Sequence, residues 1–240
     1  MTKRFIYNLK KLLENKRNIT ILPHKNPDGD AIGSCLALNH FLKKLGHNSN
    51  VISPNDYPDF LNWMPGIKNV LRYSSNKIFC EKLINESDVV FTLDFNSLKR
   101  VEIIGDLIKK SKSTIVMIDH HENPEDFSDL TYSDSKIAST CEMTYNVIEK
   151  FKVDEIDWKI ASCLYTGIIT DTGSFKFPST SSRTHLIVSR LLEKGINHTE
   201  IHQNIYDNFK KSRISLLSVT LSNLKILNPI NTVYMTLTQK

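Results

Sequence analysis

The stretch NITILPHKNPDGDAIGSCLALNHFLKKLG, residues 18–46, decides the fold. Its first six residues form a short apolar run rich in β-branched side chains, which reads as a strand. From about Asp30 to Leu45 the apolar residues Ile32, Cys35, Leu36, Leu38, Phe41, Leu42 and Leu45 recur at helical spacing, and Gly46 stops the pattern. Between strand and helix lies His24-Lys25-Asn26-Pro27-Asp28-Gly29-Asp30. Polar, metal-ligating residue types therefore sit where a strand ends and a helix begins.

The same strand-helix alternation continues outward. NVIS (50–53), DVVFTLD (88–94) and STIVMID (113–119) read as further strands, the last two each preceded by a helical segment. A loop rich in Pro, Asp and Asn runs to Gly66. Strands alternating with helices predict an α/β class with a parallel sheet flanked by helices. The second half predicts helices near 137–151, 157–170, 184–194, 198–208 and 211–226, then a final strand in NTVYMTLTQK, 231–240. The N-terminal MTKRFIYNLKKLLENK lacks a continuous apolar core and a cleavage site. It reads as an amphipathic helix with Phe5, Leu9, Leu12 and Leu13 on one side.

Composition excludes several classes. No apolar run approaches the roughly 18 residues of a membrane span. Cys35, Cys80, Cys141 and Cys163 are far apart and form no CxxC pair, so reduced thiols are expected rather than a disulfide framework or a zinc site. With no export signal, a cytoplasmic location is expected. The formal net charge of +5 suits polyanionic substrates without requiring them, because the lysines are dispersed.

Four clusters carry chemistry: His24 to Asp30 after the first strand, Asp94 at the end of the third, Asp119-His120-His121 at the end of the fourth, and Asp171 within ITDTGSF. The first three lie at the carboxyl ends of strands, where ligands bind in open α/β sheets, so His24, Asp28, Asp30, Asp94, Asp119, His120 and His121 should converge. Taken singly, an Asp after a strand is usually a cap or turn former. A lone His is usually a satisfied polar residue, and His40, His47, His185, His198 and His202 are read that way. Jointly, so many carboxylates repel one another unless cations separate them. Carboxylates with a few imidazoles and no thiolate suit Mn²⁺, Mg²⁺ or Fe²⁺. Two such ions roughly 3.5–4 Å apart can generate a hydroxide and stabilise attacking and leaving oxygens in phosphoryl hydrolysis. Competing motifs fail. Pro27 interrupts any EF-hand loop, four residues separate the first strand from Asp28-Gly29-Asp30, no P-loop is present, and none of the eight glycines are adjacent.

HKNPDGD, LDFN, DHH and TDTGSF, in this order, resemble the DHH (Asp-His-His) phosphoesterase family over nearly the whole chain. TGSFKFPSTSSRTH is similar to the corresponding segment of the nanoRNase/pAp-phosphatase, or bifunctional oligoribonuclease, subgroup. The resemblance implies that His24 and Asp28 bind one metal and that Asp30, His120 and Asp171 bind a second, with Asp94 bridging. It implies that Asp119 orients a neighbouring ligand and that His121 contacts the scissile phosphate, both being catalytic. Four aspartates balance two divalent ions, so an incoming phosphate needs further cations. His121 is one candidate and Arg183 another, ahead of Arg100 and Lys176. The bland reading of Arg183 is a surface residue near a helix start.

The implied activity is Mn²⁺-dependent hydrolysis of short oligoribonucleotides, 3′-phosphoadenosine 5′-phosphate or both, with no membrane partner and with homodimer formation left open. The alternatives are a pyrophosphatase or exopolyphosphatase-like hydrolase and a catalytically weak nucleotide-binding module. The expected organisation is a DHH catalytic domain in 1–208, a linker helix in 209–228 and, in 229–240, only the first strand of the family's smaller DHHA1 domain.

Overall fold

The computed structural model describes residues 1–238. Its contacts divide the chain into two compact units, Met1–Ile201 and one beginning at His202. Within the first, strands β1 (Asn18–Leu22), β2 (Asn48–Ser53), β3 (Leu71–Arg72), β4 (Val89–Leu93), β5 (Thr114–Asp119) and β6 (Leu130–Ser133) form one sheet in the order β3-β2-β1-β4-β5-β6. Every neighbouring pair is parallel, with Ile21 beside both Val51 and Phe91, and Phe91 beside Val116. The chain turns from one half of the sheet to the other between β1 and β4. At such a reversal the loops leaving adjacent strands diverge and open a crevice for ligands.

Helices cover both faces of the sheet. One face carries α3 (Lys77–Asn85) and α4 (Ile103–Lys110), whose Ile84, Ile104 and Ile108 pack with Leu22, Ile52 and Val90. The other carries α2 (Gly29–Lys44) and α5 (Thr140–Lys152), with α6 (Trp158–Asp171) packed on both helices. Helix α2 is buried almost all round, as its nearly continuous apolar sequence dictates. Its approach to α6 depends on small residues. A Cβ on Gly33 would lie 2.6 Å from the Cys163 carbonyl oxygen, and one on Gly167 would overlap Cys141 Sγ. Helix α1 (Lys3–Leu12) is capped by the Thr2 hydroxyl and buries Phe5 and Leu9, as its pattern predicts. Helix α7 (Ser182–Leu192) opens with a Ser181–Thr184 capping box.

The second unit holds the last turns after α8 (His198–His202), then α9 (Lys211–Ser222) and an antiparallel pair, β7 (Lys225–Leu227) with β8 (Thr232–Tyr234). The helix expected to reach 226 ends four residues earlier and its tail becomes β7. The final strand expected over 231–240 is a hairpin arm over Thr232–Tyr234, and Gln239 and Lys240 lie outside the described residues. Besides β7, two strands of the six-stranded sheet escaped the sequence reading. Strand β3 is only two residues long, and β6, LTYS, is too short and mixed to show a period. No helix among the described residues is long and apolar enough to cross a membrane.

Candidate metal centre

All six ligand-type residues meet at the carboxyl edge of the sheet, around the reversal between β1 and β4. Two loops fix the first group. His24 leaves β1 and its Nδ1 lies 2.8 Å from the Lys25 carbonyl, so that nitrogen donates and Nε2 is left to face Asp94 Oδ2 at 3.4 Å. Asp28 caps α2, its Oδ1 accepting from the amides of Asp30 and Ala31, each at 3.0 Å. The second oxygen of that carboxylate is free of the cap. The loop itself is pinned by a reciprocal pair between Asn26 and Asn55, at 2.7 Å in both directions.

Asp94 follows β4 with φ +65°, a left-handed conformation that Asp tolerates better than most residues. This turn swings its carboxylate into the cluster, where it is almost fully buried. Oδ1 accepts from the Thr140 hydroxyl at 2.9 Å and lies 3.5 Å from His120 Nε2. Asp94 therefore sits between His24 on one oxygen and His120 on the other.

Asp30 lies in the first turn of α2 and is completely buried. Its carboxylate accepts from the amides of Thr140 and Cys141, at 2.6 and 2.8 Å. These are the first amides of α5, which have no partner inside their own helix and favour a negative charge. His120 Nδ1 donates to the Ile137 carbonyl at 3.3 Å, leaving Nε2 3.1 Å from Asp171, 3.5 Å from Asp94 and 3.9 Å from Asp30. Asp171 is the last residue of α6. It precedes a tight turn in which Gly173, Ser174 and Phe175 all have positive φ. Thr172 locks that turn, its hydroxyl accepting from the Phe175 amide at 3.1 Å.

Asp119, also fully buried, holds His121 twice. Its carboxylate accepts from the His121 amide at 3.0 Å and from Nδ1 at 2.8 Å. The opposite ring nitrogen, Nε2, lies 3.1 Å from Arg100 Nη1 and accepts from it.

Three sets of side chains have ligand atoms mutually within 4.8 Å: His24, Asp28 and Asp94; Asp30, His120 and Asp171; and Asp94, His120 and His121. The electrostatics of the metal-free cluster shows what is missing. Burial and the charges of Asp94 and Asp171 push Asp30 well above the usual carboxylate range. Burial also raises Asp171, against its bond to His120. Burial alone would lower His120, but its bonds to Asp171 and Asp94 and the charge of Asp30 lift it to about 11. Burial would raise Asp94, yet His120 and His24 hold it below the usual range. His24 is raised because Asp94 outweighs burial, while Arg100 pulls the other way. An imidazolium thus stands among carboxylates that repel one another. Divalent ions answer the same need with more charge, and the carboxylate-imidazole donor set fits them.

Arg183 is not brought into this cluster. Its guanidinium binds Asn146 and Glu149, each at 2.8 Å, on α5. Two participants carry no signal of their own in the sequence. Thr140, which binds both Asp30 and Asp94, is foreshadowed only by the Ser139–Glu142 spacing of a helix start, and α5 begins there rather than at 137. Arg100 ranked low because nothing in spacing sets it apart.

A family model described as DHH family, N-terminal domain, matches residues 18–168. The chain belongs to the DHH family. Within it, the chain is 33% identical over 185 residues to the bifunctional oligoribonuclease and PAP phosphatase NrnA of Thermus thermophilus, covering 76% of this chain and 52% of that protein. The protein of the same name from Bacillus subtilis is 27% identical over 194 residues, with 78% and 57% covered. The DHH-family chain thus spans between half and three-fifths of these relatives. A solved structure of an exopolyphosphatase-related protein from Bacteroides fragilis superposes with a TM-score of 0.95 at 41% identity, covering 99% of this chain and 71% of that one. The DHH assignment and this likeness agree with the parallel sheet and its reversal point.

Proposed function

We propose that this DHH unit is a phosphoesterase that uses two divalent ions, Mn²⁺ by preference, to hydrolyse short oligoribonucleotides and 3′-phosphoadenosine 5′-phosphate. The observation that carries the reading is the position of Asp94, with one carboxylate oxygen toward His24 and the other toward His120. His24, Asp28 and Asp94 would hold one ion. Asp30, His120, Asp171 and the shared Asp94 would hold the other. Bound ions would supply charge to the phosphoryl oxygens and acidify an attacking water.

The chain's own residues do the rest. Hydrogen bonds donated by Nδ1 to the Lys25 and Ile137 carbonyls fix the ring orientations of His24 and His120, so each presents Nε2 inward. The α5 amides and the Thr140 hydroxyl set the planes of the Asp30 and Asp94 carboxylates. Asp119 aims His121 at the rim of the cluster, where it would contact the scissile phosphate. The names of the relatives support nucleotide substrates. We further place the catalytic domain in 1–208, a linker in 209–228 whose helical part is α9, and the start of a DHHA1-like domain in 229–240, in a cytoplasmic protein.

A second reading, hydrolysis of pyrophosphate or polyphosphate, is favoured by the likeness to the exopolyphosphatase-related protein. Turnover of a ribodinucleotide, 3′-phosphoadenosine 5′-phosphate, pyrophosphate and polyphosphate, with Mn²⁺ and with chelator, decides between them. The nucleotides should be hydrolysed faster, and chelator should stop the reaction. Turnover of the inorganic substrates alone would establish the second reading, and no turnover of any would leave only a binding module.

A further inference from the structure

Arg100 belongs to the short turn Leu98–Val101 that follows Asp94 in the chain. Its main-chain carbonyl accepts from the Lys25 amide at 2.8 Å, and Lys25 Nζ pairs with Glu102 at 2.6 Å. These two ties fasten the turn to the loop that carries His24 and Asp28. The half-buried guanidinium then reaches His121 Nε2 at 3.1 Å, and its charge also reaches His24.

The place of this arginine sets it apart: among the described residues Arg4, Arg17 and Arg213 also pair with no acid, but Arg17 bonds the Leu12 carbonyl and Arg213 lies over Phe209, and only Arg100 reaches a side chain of the cluster. Arg72 is paired with Asp56, and Arg183 and Arg190 with Glu149. Among the described residues, no carboxylate lies within ion-pair distance of the Arg100 guanidinium, although it stands at the edge of a carboxylate cluster. It spends one of its five N–H donors on an imidazole that could otherwise take a ligand. His121 is already held by Asp119 through its amide and Nδ1, so it does not need Arg100 to fix its position. A cation taken partly out of water next to carboxylates would ordinarily pair with one of them. An arginine that waits for an anion keeps its donors for that anion.

We propose that Arg100 is the phosphate-recognition residue of this site: its guanidinium parts from His121 and donates to the non-bridging oxygens of a phosphate bound at the metal cluster. This deepens the phosphoesterase reading, on which it rests, and sets Arg100 ahead of Arg183, the arginine that ranks higher in the sequence analysis. The planar guanidinium offers two parallel donors to a phosphate, which a lysine cannot do.

The test uses the whole chain loaded with Mn²⁺ and reads the binding of inorganic phosphate by calorimetry beside kcat/KM for a ribodinucleotide. Arg100→Gln should keep its Mn²⁺ stoichiometry and its melting temperature. It should bind phosphate about 10- to 100-fold more weakly, with kcat/KM falling at least as far. Arg100→Lys should fall between the two, because it restores charge without the fork. Arg4→Ala, which removes a cation from the exposed side of α1, should leave both readings at wild type. Wild-type phosphate affinity in Arg100→Gln, no phosphate binding by the wild type, or loss of Mn²⁺ together with phosphate would each overturn the assignment. If the wild type binds phosphate through Arg100 but turns over no ester, the phosphoesterase reading fails and the binding assignment stands.

Discussion

Gly167 lies in the middle of α6, a position where Gly→Ala normally stabilises a helix by about 1 kcal/mol. Here the sign should reverse. A Cβ at this position would overlap Cys141 Sγ and come within 2.6 Å of Asp30 Oδ1 and 2.9 Å of Asp30 Cα. The sulfur is fully buried, and forcing a methyl group into a packed core costs about 1–3 kcal/mol. The Asp30 oxygen is the acceptor of the Cys141 amide at 2.8 Å, and losing a hydrogen bond to a charged acceptor costs about 1.5–3 kcal/mol. Set against the helical gain, Gly167→Ala should destabilise by about 2–4 kcal/mol, or very roughly 5–15 °C in melting temperature. The variant should also bind the ion of the Asp30 group more weakly. Urea or thermal melting of the metal-free protein measures the first effect and Mn²⁺ calorimetry the second. Adding Cys141→Ala removes the sulfur overlap but leaves the Asp30 contact, so it should recover part of the stability and none of the metal affinity. A Gly167→Ala protein as stable as wild type, with unchanged Mn²⁺ affinity, would refute the argument that close approach of α6 shapes the site.

Other consequences follow from the same geometry. His121→Ala should keep both ions and lose about a hundredfold in turnover, the scale of one donor aimed at transition-state charge. Loss of an ion at unchanged turnover per loaded site would make His121 a ligand, as its grouping with Asp94 and His120 allows. Thr140→Val preserves shape but deletes the 2.9 Å bond to Asp94, and should lower Mn²⁺ affinity about 10- to 100-fold, read by calorimetry; an unchanged affinity would show that the hydroxyl does not orient the carboxylate. His120 is raised to about 11 in the metal-free protein, so Mn²⁺ binding at pH 7 should expel about one proton, visible as a buffer-dependent binding enthalpy. By the same sign, the stability His120 contributes is fully present below pH 6.5 and is lost as pH rises through about 11. The metal-free protein should therefore melt lower at alkaline pH, and a His120→Gln protein should lose that part of the pH dependence. Absence of proton release would contradict the imidazolium.

What the sequence revealed and what it concealed have separate physical causes. Strand β1, the loop from His24 to Asp30 and helix α2 are legible because burial on both faces writes a dense apolar run, and the polar loop interrupts it abruptly. The convergence of His24, Asp94 and Asp119 follows from the direction of parallel strands alone. Asp171 is different. It comes from the end of a helix, and only the motif resemblance placed it with the others. Arg100 and Thr140 enter through tertiary contacts more than twenty residues away, which no local pattern encodes. Strands β3 and β6 are edge elements whose few residues are half exposed, so neither the apolar-run nor the alternation signal is present. The expected helix through 226 failed for another reason. SRISLLSVTLSNLKIL has helical and extended propensity at once, and the pairing of β7 with β8 claims its end.

The central claim is that Asp94 joins two ions in one site. Titration of the metal-free chain with Mn²⁺, followed by electron paramagnetic resonance, tests it directly. Two ions per chain with a spin-coupled spectrum are expected, because a shared carboxylate would hold them together. Asp94→Asn should abolish the coupling along with most of the affinity. A single ion at saturation, or two uncoupled ions that survive Asp94→Asn, would contradict it.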